Sequence, residues 1–293
     1  MIKWKGIRWS VHPLFVLVMI GSVATGYFAE LITLFLIVLV HEIGHVVVAR
    51  SFGWHVREVK LLPFGGVAEI EEAGSMPAGQ DALVAIAGPL QNLWMGLAAW
   101  GCGQLGWWDP VWAEYVWKAN LMIGLFNLLP IYPLDGGKLL QAAFSYSFNY
   151  FTMMKWTARI SLVLSSAMIA FSLVIAFRSD AGIQLNLLVV GLFLWMSNWT
   201  YYRNIPYLFV RFLMHRDRVA VRQLSRGSLA DPIIVSSKEP IISVVRLFWR
   251  EKYHLIYVME HGGRIGKVIP EEHVVESYLS ERNPYRPVIE LFR

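Results

Sequence analysis

Between Leu31 and Ala49 the chain carries only three ionisable side chains, His41, Glu42 and His45. A run of about 20 apolar residues is what crossing the hydrocarbon of a bilayer requires. In lipid a segment must satisfy its own backbone polar groups, so each such run is expected as an α-helix. Comparable runs lie at 11–29, 82–102, 111–130, 157–177 and 183–200. The expected fold class is an α-helical polytopic membrane protein with about six transmembrane helices. The 111–130 run is the least regular, because it holds Glu114, Lys118 and Asn127 and ends at Pro130. Composition agrees: 56% of residues are hydrophobic and 16% charged, against about 25% charged in soluble domains.

The formal net charge is +5, and its placement follows the spans. Lys3, Lys5 and Arg8 precede the first run, and Arg50, Arg57 and Lys60 follow the second. Lys138 and Lys155 lie between the fourth and fifth, Arg203 and Arg211 follow the sixth, and the opposite loops hold little beyond Arg178. The positive-inside rule then puts both termini in the cytoplasm. It also accounts for the positive charge without a nucleic-acid partner. The single cysteine, Cys102, excludes a disulfide framework or a cysteine-based metal site within one chain. No small-residue cleavage site follows the basic start, so the first run is expected to be a retained span.

Between the second and third runs, "VKLLPFGGVAEIEEAGS" is too short and broken to span. Its alternation around Gly65 and Gly66 suggests a β-hairpin or re-entrant loop. Residues 1–200 are thus expected as the membrane domain. Residues 201–217, basic and aromatic, read as a membrane-surface linker or amphipathic helix. Residues 218–293 read as a small cytoplasmic α/β domain. There "PIIVSS" is a strand, "EPIISVVRLFWREK" an amphipathic helix, "HLIYVME" and "RIGKVIP" a hairpin, and "PEEHVVESYLS" a second helix.

The sequence His41-Glu42-Ile43-Gly44-His45 fits H-E-x-x-H. On a helix His41 and His45 fall on one face, one turn apart, so both imidazoles can meet one zinc ion with Glu42 beside them. Glu42 is then the expected general base, taking a proton from a zinc-activated water and passing it to the leaving amine. The pattern arises by chance in about one chain of this length in a hundred. Here, however, it lies in a membrane run, where ionisable residues are rare and functional. A third ligand is expected, and His12, His55, Glu69, Asp81, Asp109 and Asp135 are the candidates. Asp135 stands out in "FNLLPIYPLDGGKLLQAAF", where Pro130 and Pro133 break the span and Gly136 and Gly137 permit a sharp turn. Asp135 there is either a ligand or the cap of the helix that follows.

HEIGH in one span and N-L-L-P-I-Y-P-L-D-G-G in a later one resemble the site-2 protease family of intramembrane zinc metalloproteases. "FGG" and "AGPLQN" (Ala87 to Asn92) look like that family too. The resemblance implies one zinc per chain on His41, His45 and Asp135, Glu42 as base, and Asn127 holding substrate or oxyanion. Gly65 and Gly66 are expected to let a substrate strand approach. The tail resembles a single cystathionine-β-synthase (CBS) domain, which implies a homo-oligomer and a possible ATP or other adenine-nucleotide site. Six spans with one such tail resemble the sporulation branch of the family. That branch implies a membrane-associated pro-sigma factor (pro-sigma-K) as substrate and membrane-protein inhibitors or regulators. It also implies a bacterial inner-membrane location, in a sporulating cell the membrane around the forespore.

Two other functions fit parts of the pattern. A metal-ion transporter would line an ion path with the same residues, but it would be expected to show matching broken helices in two halves, and only one broken helix is present. A catalytically inactive protease-like sensor would lack part of the set, and His41, Glu42, His45 and Asp135 are all present.

Overall fold

The computed structural model describes residues 2–4, 7–11, 23, 25–62, 65–70, 76–178, 184–216, 227, 229–260, 264–280 and 283–292. The chain forms two compact units, Met1–Ala73 with Gly79–Leu139, and Gly74–Ala78 with Leu140–Arg293.

The first unit opens with strands β1 (Ile2–Trp4) and β2 (Ile7–Val11), followed by helix α1 (Phe28–Ser51). Gly53, at φ +78°, ends α1 in a left-handed turn; its N–H reaches Arg50 O at 2.9 Å and Trp54 N–H reaches Ala49 O at 3.1 Å. The expected hairpin follows as β3 (Val56–Leu62) and β4 (Gly65–Ile70), in a four-stranded sheet of order β1-β2-β3-β4. β2 runs parallel to β3, a pairing between segments far apart in sequence that local pattern does not reveal.

Helix α2 (Ala78–Gln104) turns Leu83, Ile86, Leu90, Leu93, Leu97 and Trp100 outward at three- and four-residue spacing. It buries Asn92 on its other side. An apolar exterior over a polar interior is the reverse of a soluble helix and suits lipid. Asp109 caps α3 (Pro110–Asn127), accepting from Val111 N–H at 3.1 Å and Trp112 N–H at 3.0 Å. Ile37, Ala99, Val116 and Ala119 form the core where α1, α2 and α3 meet.

Helix α4 (Asp135–Ser145) leads into the second unit, where α5 (Tyr150–Arg178) and α6 (Leu185–Met214) pair antiparallel. Phe151 meets Phe209 at one end and Ser172 meets Gln184 at the other. The residues expected as a linker continue α6 as far as Met214. Ile205, Phe209, Phe212 and Leu213 there share one core with Tyr150, Met153, Ile241, Val244, Phe248 and Ile256.

Among the described residues, three helices are long and apolar enough to cross a membrane: Phe28–Ser51, Ala78–Gln104 and Tyr150–Ala176. They coincide with the second, third and fifth expected runs. The first, 11–29, lies largely outside the described residues, and so does His12. The fourth forms α3, which carries the Glu114–Lys118 ion pair at 2.5 Å, and the sixth forms the start of α6.

The C-terminal sheet follows the expected strand-helix-strand-strand-helix order. β5 (Ala230–Ser236) runs parallel to β6 (Tyr253–Met259), β6 antiparallel to β7 (Ile265–Pro270), and α8 (Glu271–Ser280) follows. The helix between β5 and β6 is shorter than expected, α7 covering only Ile241–Val245. It closes in tight turns, Leu247 N–H on Val244 O at 3.0 Å and Phe248 N–H on Val245 O at 3.1 Å. Further on, the Arg216 guanidinium donates to Trp249 O at 2.7 Å, to Arg250 O at 3.2 Å and to Lys252 O.

Arg216 also pairs with Glu271, Nε to Oε1 at 2.8 Å and Nη2 to Oε2 at 3.0 Å. His254 Nε2 accepts from Trp249 N–H at 3.2 Å, so its Nδ1 carries the hydrogen and donates to Glu271 Oε2 at 2.8 Å. Burial alone would raise the Glu271 carboxyl, but His254 and Arg216 outweigh it and hold it below the ordinary value. Burial pushes His254 down, the Glu271 hydrogen bond opposes it, and the Arg216 charge adds to the fall. Both groups therefore bind fewer protons folded than unfolded, so acid favours unfolding. Their stabilisation is fully present above pH 6.5, the ordinary histidine value, and is lost first through His254 as pH falls. Glu271 follows below pH 4.5. Hydrogen exchange of β6 amides in the detergent-solubilised protein, corrected for intrinsic rates, should accelerate in that order between pH 7 and 4. Arg216→Met, which strips one partner from a buried pair, should cost about 3–5 kcal/mol of local stability.

Candidate metal centre

HEIGH lies in the second half of α1, with His41, Glu42 and His45 all buried. The helical spacing brings His41 Nε2 and His45 Nε2 to 3.1 Å of each other, their rings edge to face. Asp135 Oδ2 completes a triangle, 3.1 Å from His41 Nε2 and 3.0 Å from His45 Nε2. Glu42 offers a carboxylate oxygen within 4.8 Å of both imidazole donors. Lys138 Nζ takes the other Asp135 oxygen, Oδ1, at 3.1 Å.

Backbone geometry carries Asp135 to this point. A Cβ on Gly136 would lie 2.1 Å from Leu128 O, and one on Gly137 would lie 2.5 Å from Tyr132 N. Only glycine lets the start of α4 fold back so closely on the Leu128–Tyr132 segment. Asp135 is itself the first residue of α4. Its two oxygens meet His41, His45 and Lys138, which is a different arrangement from a helix cap.

The second wall is α2. His45 Nδ1 meets Val84 O at 2.6 Å, and His41 Nδ1 meets Asn92 Oδ1 at 2.5 Å. A Cβ on Gly88, between them, would lie 2.3 Å from His45 Nε2 and 2.6 Å from His41 Nε2. On α1 a Cβ at Gly44 would lie 2.8 Å from Ala87 O. Two glycines thus let the helices approach closely enough to sandwich the imidazoles.

A carbonyl only accepts, so His45 Nδ1 carries the hydrogen and Nε2 presents a lone pair. That lone pair faces a carboxylate oxygen at 3.0 Å, an arrangement a cation relieves. Donors bound at 2.0–2.1 Å in a tetrahedron stand about 3.3 Å apart, so two imidazole nitrogens and one carboxylate oxygen at these spacings fit zinc.

A profile of peptidase family M50 matches residues 29–109 and 103–174. Stage IV sporulation protein FB of Bacillus subtilis (strain 168) is 32% identical over 99% of this chain and 98% of its own. The chain belongs to the M50, or site-2 protease, family. A zinc metalloprotease of Methanocaldococcus jannaschii is 30% identical over 67% of this chain and 58% of its own. The solved site-2 protease from Methanocaldococcus jannaschii superposes with a TM-score of 0.56 at 29% identity, over 69% of this chain and 94% of that one. The protein is therefore an intramembrane zinc metalloprotease, and the transporter reading is set aside.

Asn127 ends α3 and donates from Nδ2 to Ile123 O at 3.0 Å. Gly65 and Gly66 open β4, paired with Leu62 and Leu61. Asp109 is an N-cap and His55 is exposed. Sequence reasoning singled out the Ala87–Asn92 segment without giving Gly88 or Asn92 a role, and it missed Asn120 and the part Lys138 plays. The available signal was an asparagine inside an apolar run, twice, one of them a single turn after Gly88.

Gly88→Ala should push both imidazoles off their shared point, since Val84 O and Asn92 leave them little room to swing. Zinc content of the purified protease should fall well below that of wild type, with membrane insertion unchanged.

Proposed function

We propose that this site-2 protease releases a membrane-associated pro-sigma factor in a sporulating cell, with His41, His45 and Asp135 holding zinc and Glu42 as general base. The observation that carries the catalytic assignment is the triangle of donors 3.0–3.1 Å apart with Glu42 beside it. The substrate assignment is supported by identity to Stage IV sporulation protein FB along essentially the whole chain, tail included.

Zinc, when bound, would supply a Lewis acid that lowers the pKa of a water to about 7 and polarises a carbonyl. Glu42 accepts the proton of the attacking water and returns it to the leaving amine nitrogen. Lys138 keeps Asp135 Oδ1 engaged so that Oδ2 stays turned to the imidazoles. Asn127 has a second Nδ2 hydrogen beyond the one given to Ile123, and it donates to the scissile carbonyl oxygen. β4 is an edge strand of its sheet. An extended substrate adds to that edge through main-chain hydrogen bonds, with Gly65 and Gly66 permitting close approach.

On this reading the chain has six spans, counting 11–29, α3 and the start of α6, has both termini in the cytoplasm, and works in the membrane around the forespore. Residues 1–200 form the protease domain, with 201–217 as the joint. Residues 218–293 form a CBS-like regulatory tail that pairs with that of a second chain, answers an adenine nucleotide and meets membrane-protein inhibitors. The parallel β5–β6 pair bridged by α7 supports that reading of the tail.

Co-expression with pro-sigma-K should yield a shortened product from the wild type. Glu42→Gln should slow cleavage at least 10²–10⁴-fold and retain about one zinc per chain. Asp135→Asn should lower both zinc and activity. Residual cleavage near wild-type rates in Glu42→Gln would sink the base assignment. An intact pro-protein beside an active enzyme would sink the substrate alone.

A further inference from the structure

Asn92 on α2 and Asn120 on α3 are both buried inside helices facing the metal centre. They form a single line of hydrogen bonds. Asn120 Nδ2 donates to Val116 O at 2.9 Å, Asn92 Nδ2 donates to Asn120 Oδ1 at 3.3 Å, and Asn92 Oδ1 meets His41 Nδ1 at 2.5 Å.

The polarity of this line is set at its far end. Val116 O is a backbone carbonyl and can only accept, so Asn120 turns its nitrogen toward it and its oxygen away. That oxygen can only accept, so Asn92 turns its nitrogen to Asn120 and its oxygen to His41. Asn92 Oδ1 in turn can only accept, so His41 Nδ1 carries a hydrogen. In a neutral imidazole the lone pair then sits on Nε2, the atom 3.1 Å from both Asp135 Oδ2 and His45 Nε2.

We infer that Asn92, its amide held in one orientation by Asn120, is a positioning residue that fixes His41 in the tautomer and ring orientation needed to bind zinc. His45 gets the same setting from Val84 O. Val84, Gly88 and Asn92 stand at successive turns of α2. The ladder therefore offers an acceptor to His45, room for both rings, and an acceptor to His41. Outer partners of this kind tune metal affinity by about 10–100-fold.

The inference rests on His41 being a zinc ligand, so His41→Ala is the control for that reading. The measurement is zinc release from the purified full-length protein to a competing chelator. Asn92→Ala should weaken zinc binding about 10–100-fold. Asn92→Asp, which keeps an acceptor opposite His41 Nδ1, should restore it to within a few-fold of wild type. Asn120→Ala should show a smaller loss in the same direction. A packing role alone would be served as well by Asn92→Leu, of similar volume but with no acceptor, which should instead bind zinc as weakly as Asn92→Ala. Zinc affinity unchanged in Asn92→Ala, near wild type in Asn92→Leu, or as weak in Asn92→Asp as in Asn92→Ala, overturns the inference; retention in His41→Ala overturns the ligand assignment instead.

Discussion

A helix that carries His41, Glu42 and His45 through hydrocarbon must find a partner for the polar atoms they bring, and water is not there to supply one. The structure meets that demand with the face of α2. Val84 O, Gly88 and Asn92 lie along it one turn apart, opposite His45 and His41. The match works only at close range, and Gly44 and Gly88 provide that range. A methyl group on either would meet the facing helix, or the imidazoles themselves, at under 3 Å. The small residues of HEIGH and AGPLQN are thus as much part of the metal centre as the histidines.

Asp135 poses the complementary problem, a carboxylate brought to the same depth by chain that is not helical. Non-helical backbone at that depth survives only where protein buries it or water reaches it. Here Gly136 and Gly137 press the start of α4 against the Leu128–Tyr132 segment, and Ile131 in that segment is itself buried. The carboxylate is then held from both ends, by Lys138 on Oδ1 and the imidazoles on Oδ2. Because glycine contacts and a broken helix set its place, the donor triangle is fixed by backbone packing rather than by side-chain choice.

The parts of this design that were legible in the sequence are those encoded locally. One-turn spacing placed His41 and His45 together, the Pro and Gly residues around Asp135 announced a turn, and alternation around Gly65 announced a hairpin. What escaped is encoded between elements. Asn120 matters through its line to His41 across two helix interfaces, and nothing in the residues around it says so. Lys138 looked like one more basic residue on the cytoplasmic side, and its bond to Asp135 appears only once α4 starts at Asp135. In the tail, "EPIISVVRLFWREK" has the pattern of a long amphipathic helix, yet it closes in tight turns after Val245, and the carbonyls of Trp249, Arg250 and Lys252 turn to Arg216 instead. The parallel pairing of β2 with β3 joins segments separated by the whole of α1.

Two buried polar clusters, one in each unit, follow the same rule with opposite outcomes. In the tail, three carbonyls and the Glu271 carboxylate converge on a point that the Arg216 guanidinium fills. His254 is neutral there and both its nitrogens are engaged, so the cluster is closed and serves stability. At the metal centre a carboxylate oxygen and the imidazole lone pairs also converge, but the Lys138 ammonium bonds the far oxygen of Asp135. Acceptors that converge with no protein cation among them, as here among the described residues, suit a metal ion. The same electrostatic demand that the Arg216 guanidinium meets in the tail thus leaves the centre in α1 suited to a divalent cation such as zinc, and Glu42 stands beside it with its carboxylate within 4.8 Å of both imidazole donors.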